Sequence, residues 1–133
     1  MDAAEVYRAY NQAENNHDWD ATTALLSSDI HVMVNGASEV SGPEDDRRAM
    51  ERLVALFPDY RREVLSIVPN GDEAAIRWKM TGSSADDPSV GLNVEGASFI
   101  VVSGGRIRQA FLFAQSGELA RALEMAKPDR RAQ

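Results

Sequence analysis

The order of patterns along the chain predicts an α+β fold, with helices covering one face of a curved, mostly antiparallel sheet. Three observations carry this. Three helical stretches and one early short strand fill the first half of the sequence. Two strands, 61–69 and 73–82, then flank Asn70-Gly71-Asp72, and Asn-Gly between alternating hydrophobics is a strong local hairpin signal. Two more strands, 92–102 and 106–113, are joined by Ser103-Gly104-Gly105 and followed by a short last helix.

Taken in order, Val6, Tyr10 and Ala13 form one stripe of a first helix, with Tyr7 beside it and Glu14, Asn15 and Asn16 toward its polar end. His17-Asp18 breaks the pattern. Asp18 is placed to cap a second helix carrying Trp19, Thr22, Leu25 and Leu26, which Ser27-Ser28-Asp29 closes. Residues 30–35 read as a short strand, and 36–38 as a turn. In Gly42-Pro43-Glu44-Asp45-Asp46, proline and acids stand where a helix N-terminus favours them. The third helix follows, with Met50, Leu53, Val54 and Phe57 at helical spacing, and Pro58 ends it.

In the second strand of the hairpin, Ala74, Ile76, Trp78 and Met80 share one face, while Arg77 and Lys79 share the other, opposite acids such as Glu63. Residues 83–91 are polar, contain Asp86-Asp87-Pro88 and read as a loop. Ser116 is placed to cap the last helix through Leu119 and Leu123. The 133 residues fit one domain, 1–127, with a charged tail at 128–133 expected to fray.

With 44% hydrophobic and 26% charged residues, the composition is that of a globular domain. A net charge of −7 argues against nucleic acid and against anionic membrane surfaces. There is no cysteine, which excludes disulfides, thiolate nucleophiles and cysteine-ligated metals. The N-terminus lacks signal-peptide character and no apolar run is long enough to span a bilayer, so a cytoplasmic location is expected.

This order resembles the SnoaL-like polyketide cyclases of the nuclear-transport-factor-2-like superfamily, which also contains ketosteroid isomerases and limonene-epoxide hydrolases. The residues that carry the likeness are the helix running into Phe57-Pro58-Asp59-Tyr60, the Gly71-Asp72 turn with Arg77-Trp78 and Thr81-Gly82, and Gly105-Arg106-Ile107. The resemblance spans about Val6 to Leu123. It implies a cone-shaped sheet with about three N-terminal helices on its concave face, a short C-terminal helix and a hydrophobic pocket between them. It also implies a homodimer formed through the outer face of the sheet.

The proton-transfer residues of these families do not carry over. The SnoaL-type histidine and aspartate fall at Ala110 and Gln115, neither a useful general base. The base carboxylate of ketosteroid isomerases falls near Val34, between Met33 and Asn35, whereas their first-helix tyrosine has a counterpart in Tyr10. The Asp-Arg-Asp arrangement of limonene-epoxide hydrolases fails at Lys79 and Gln115.

Tyr10 and Gln115 are therefore the candidate catalytic residues, both acting through hydrogen bonds. Met33, Asn35, Met50, Trp78, Met80, Phe99 and Phe111 are the candidate ligand-binding residues. Glu39 is the carboxylate nearest the expected mouth, and the run Glu44-Asp45-Asp46 is accounted for by the helix dipole. His17 and His31 lack metal-ligand spacing, so neither a metal nor another cofactor is expected.

Two functions compete. One is a cyclase, isomerase or lyase-like enzyme acting on a hydrophobic polyketide-, polyene- or terpenoid-like substrate without the usual acid/base pair. The other is a non-catalytic small-molecule-binding or dimeric interaction module on the same fold.

Overall fold

The computed structural model describes residues 2–115 and 122–125. Helix α1 (Ala3–Asn15) begins where the Asp2 carboxylate accepts from the Glu5 backbone N–H at 2.9 Å. Its first amide also donates to the Gly71 carbonyl, which ties the helix to the tip of the central hairpin. Helix α2 (Trp19–Ala24) is capped by Asp18, whose side chain accepts from Ala21 N–H at 3.1 Å.

α2 stops two residues short of the pattern in the sequence. Leu26 leaves the helical path to pair with Ile107, and the Leu25 carbonyl accepts from Ile107 N–H at 2.8 Å. Strand pairing and burial of Leu26 outweigh the local helical pattern, so β1 (Leu26–Val34) includes the serines expected to close the helix.

β2 (Ala37–Ser41) turns back on β1, and α3 (Pro43–Leu56) opens with proline in its first turn and three acids near its positive end. Four long strands complete the sheet: β3 (Arg61–Asn70), β4 (Glu73–Ser83), β5 (Gly91–Ser103) and β6 (Arg106–Ala114). The order across the sheet is β2-β1-β6-β5-β4-β3, antiparallel except for β1 against β6. The Asn70↔Glu73 register places the hairpin turn at Gly71-Asp72, with Gly71 at φ +62°. Residues 122–125 are helical, while the Ser116 cap and the tail beyond Pro128 lie outside the described residues.

The sheet curves without closing, and the helices lie in its concavity. Ala74, Ile76 and Trp78 are buried on the inner face of β4, as their alternation predicts, and Ile100 and Val102 continue that surface on β5. Val6, Tyr7 and Tyr10 of α1 pack against it. Phe99 lies on the opposite face, 39% exposed, with its ring 6.5 Å from that of Phe111.

Candidate functional site

The concavity is not filled. Between α1, α3 and the inner face of the sheet lies a cavity of about 430 Å³. Ile30, Val32 and Val34 of β1 and Ile107, Ala110 and Leu112 of β6 make its apolar walls. Met50 of α3 and Met80 of β4 add thioethers. The polar groups come from Tyr7, Tyr10 and Glu14 on α1, Asp46 on α3, Arg62 on β3 and Ser98 on β5. Glu39 and Arg52, both exposed, line the mouth.

Two polar clusters stand in this apolar setting. In the first, the Tyr10 hydroxyl donates to Asp46 Oδ2 at 2.8 Å. Asp46 is 8% exposed, and its second oxygen, Oδ1, takes no hydrogen-bond partner among the described residues. Burial raises the Asp46 carboxyl above the ordinary range, and the Tyr10 hydrogen bond and the charge of Arg62 only partly oppose this. The Tyr10 hydroxyl is itself raised well above its usual value, first by burial and then by the charges of Glu14 and Asp46, so it stays a phenol.

The second cluster centres on Arg62. Its guanidinium donates to both carboxylate oxygens of Glu14 and, at 2.9 Å, to the Tyr7 hydroxyl, while Tyr60 donates to Glu14 Oε2 at 3.3 Å. The guanidinium lies 5.7 Å from the Trp78 ring and 6.0 Å from that of Tyr7. Burial alone would lower Arg62, but the Glu14 carboxylate and the surrounding tyrosines hold it well above its ordinary value. Glu14 is raised by burial and pulled back by Arg62.

The strand position of Arg62 is fixed from α1. Asn15 Nδ2 donates to the Arg62 carbonyl at 2.9 Å, and Asn15 Oδ1 accepts the Arg62 amide at 2.8 Å. Asn11 adds a second donor to the same carbonyl at 3.2 Å. These contacts satisfy backbone groups on the open edge of the sheet, where no further strand among the described residues supplies them.

Of the residues proposed from sequence, the cavity brings together Tyr10, Met50 and Met80. Trp78 lies beneath the cavity, 1% exposed, with its indole N–H donating to Ser98 Oγ at 2.8 Å. Met33, Phe99 and Phe111 do not line it. Strand alternation sends each to the face opposite its cavity-lining neighbours Val32, Ile100 and Ala110. Asn35 occupies the β1–β2 turn at φ +49°, where its side chain accepts from Ala114 N–H at 3.0 Å. Gln115 follows the end of β6, is exposed and is not part of the cavity wall. Ala110 does face the cavity, so a methyl group stands where the SnoaL-type histidine is expected.

Asp46 is the residue that sequence reading assigned to the helix dipole alone. A signal was present: Asp46 precedes Met50 by one turn and so shares its inward stripe. Glu14 likewise follows Tyr10 by four residues, and Arg62 alternates with Val64 on the inner side of β3. The two histidines lie elsewhere: His17 stacks on Trp19 at 5.7 Å, and His31 Nε2 is 3.2 Å from Ser38 Oγ at the surface. Among the described residues, no three His, Cys, Asp or Glu side chains are grouped to hold a metal.

A model of the SnoaL-like domain matches residues 7–110. No curated protein sequence matches. Similar solved structures include IdmH, a candidate polyketide cyclase from Streptomyces antibioticus. It is 18% identical, with a TM-score of 0.74 over 93% of this chain and 98% of that one. A candidate ketosteroid isomerase from Kribbella flavida is 22% identical, with a TM-score of 0.68 over 85% of this chain and 77% of that one. A protein of ketosteroid isomerase-like fold from Catenulispora acidiphila, in complex with trimethylamine, is 19% identical, with a TM-score of 0.71 over 81% of this chain and 83% of that one. At these identities the likeness is one of fold.

Proposed function

Since the chain belongs to the SnoaL-like domain family, we propose that it is a small-molecule enzyme of the cyclase, isomerase or lyase-like kind, acting on a hydrophobic substrate by proton transfer at Asp46. The observation that carries this reading is the buried Asp46 carboxyl, held at Oδ2 by Tyr10 and unpartnered at Oδ1, in the wall of an apolar cavity. Its volume of about 430 Å³ falls within the range of roughly 300–1,000 Å³ usual for small-molecule sites.

Burial keeps Asp46 protonated to higher pH than a solvated carboxyl, which suits it to give a proton and later take one back. In this reading α3 supplies the group that β6 lacks at Ala110. Tyr10 orients the carboxyl, the Arg62–Glu14 pair holds the floor, and the apolar walls fold the substrate into a reactive shape. The outer-face residues Phe99 and Phe113, 39% and 56% exposed, support a homodimer through that face as part of the same proposal.

The test is turnover in D2O of a panel of polyenes, olefinic alcohols, epoxides and polyketide-like aromatics, with deuterium in the product as the readout. Asp46→Asn is expected to abolish conversion while leaving the fold intact by circular dichroism. Wild-type rates in Asp46→Asn would remove Asp46 from the mechanism. A ligand co-purifying unchanged, with no panel member converted, would favour the binding-module reading.

A further inference from the structure

We infer that the cavity is built to hold positive charge inside an apolar shell, so that its ligand is a hydrophobic cation and its substrate is one that becomes cationic as it reacts. The preference for a cationic ligand rests on the cavity being the ligand site and not on turnover; the reacting cation rests also on the proposed function.

The argument is one of donors and acceptors. An enolate or other anionic intermediate needs hydrogen-bond donors aimed at its oxygen. The Tyr10 hydroxyl and the charged donors of Arg62 are committed to other groups or closed off from the cavity. The Tyr10 hydroxyl donates to Asp46, and the terminal nitrogens of Arg62 donate to Glu14 and Tyr7, while its Nε–H has no partner among the described residues but is too deeply buried to meet a ligand. Ser98 already accepts from Trp78, so it and Tyr7 leave only neutral hydroxyls. Once Asp46 is ionised its Oδ1, in contrast, is an acceptor without a partner among the described residues.

The charges lead to the same sign. Glu14 and Arg62 neutralise each other in direct contact, so ionisation of Asp46 leaves the interior with one uncompensated negative charge. Glu39 and Arg52 at the mouth are exposed and of opposite sign. The other ionisable groups acting on Asp46 are Tyr10 and Glu14 from α1, Arg62 from β3 and Asp45 from α3. The lining residues of β1, β5 and β6 carry no charge. A buried carboxylate without a counter-ion gains strongly from a cation placed beside it. The Tyr7 and Tyr10 rings and the thioethers of Met50 and Met80 give that cation polarisable neighbours without competing for its charge.

Three bicyclic probes of one shape separate the signs: decahydroquinolinium, 2-decalone and decahydronaphthalene-2-carboxylate, titrated calorimetrically into the full chain from pH 5 to 9. The ammonium is expected to bind about 10- to 100-fold more tightly than the ketone once Asp46 is ionised, the range of a charge-assisted hydrogen bond. The carboxylate is expected to bind most weakly. Ammonium affinity should rise with pH as Asp46 loses its proton, and the preference should vanish in Asp46→Asn.

Equal or tighter binding of the ketone or carboxylate would overturn the inference. So would a preference that survives in Asp46→Asn, or no ammonium binding at millimolar concentration. Should Asp46→Asn fail to fold, the pH dependence of the unaltered protein decides alone, and a flat profile overturns the inference. Ammonium binding without turnover of any panel substrate would leave the preference for a cationic ligand standing while removing the enzymatic reading and the reacting cation with it.

Discussion

Replacing Arg62 with methionine removes one half of a buried ion pair and leaves the other half in place. Glu14 is fully buried, the Arg62 side chain is 6% exposed, and solvent cannot take over the role of the guanidinium. Stranding a charge in this way costs roughly 3–5 kcal/mol. The Tyr7 hydroxyl loses its donor as well, and the Trp78 ring loses the cation stacked beside it. For a chain of 133 residues, with about 2.1 cal/mol/K of unfolding entropy per residue, that cost lowers Tm by roughly 10–18 °C.

Urea denaturation at pH 7 and calorimetry measure the two quantities. The sign with pH is fixed: without Arg62, burial raises the Glu14 carboxyl further above its unfolded value. The deficit therefore shrinks as pH falls and Glu14 takes up a proton. Adding Glu14→Gln to Arg62→Met removes the stranded charge and should recover most of the loss. A deficit below about 1 kcal/mol, or a double variant no more stable than the single one, would refute the view of the pair as a coupled buried unit.

Three further outcomes follow from the same structure. Asp46 is raised by burial, so the stability tied to its protonated form is present at low pH and lost as pH rises through its folded value. Asp46→Asn keeps an acceptor for Tyr10, so its Tm relative to wild type should climb from pH 4 to pH 8, and a relative Tm that falls with pH contradicts this. Tyr10→Phe removes a hydrogen bond that lowers Asp46; turnover should slow and the alkaline limb of its pH–rate profile should move to higher pH, whereas an unmoved limb would separate Tyr10 from Asp46. In Gly96→Ala the new Cβ would stand 2.4 Å from the Trp78 ring and 2.7 Å from the Phe113 carbonyl oxygen. Since the Trp78 indole is held by Ser98, denaturation should show a loss of about 1–3 kcal/mol, and an unchanged midpoint would show that the ring can move.

Much of the architecture is local and therefore legible. Asp18 capped its helix as expected, the Asn70-Gly71 turn set its hairpin, and the alternation through Ala74, Ile76, Trp78 and Met80 gave the inner face of β4. Leu26 is the instructive exception, since its partner Ile107 stands far along the chain and pairing across that distance overrode a helical pattern. The same periodicity places Phe99 and Phe111 on the outer face once the inward residue of each strand is known, but which aromatic faces in is decided by the packed sheet.

By itself the sequence determined the element order, the turns, the helix caps and the absence of the family's usual histidine and aspartate, because each depends on residue identity or on neighbours within a few positions. Only the tertiary structure decided the chemistry of the cavity. Asp46 stands 36 residues from the Tyr10 that holds it, and Arg62 stands 48 from the Glu14 that neutralises it. One acid of a helix-opening run becomes a buried, half-partnered carboxyl while its neighbours remain ordinary first-turn acids, because burial and long-range hydrogen bonds arise only when α1, α3 and β3 meet over the sheet.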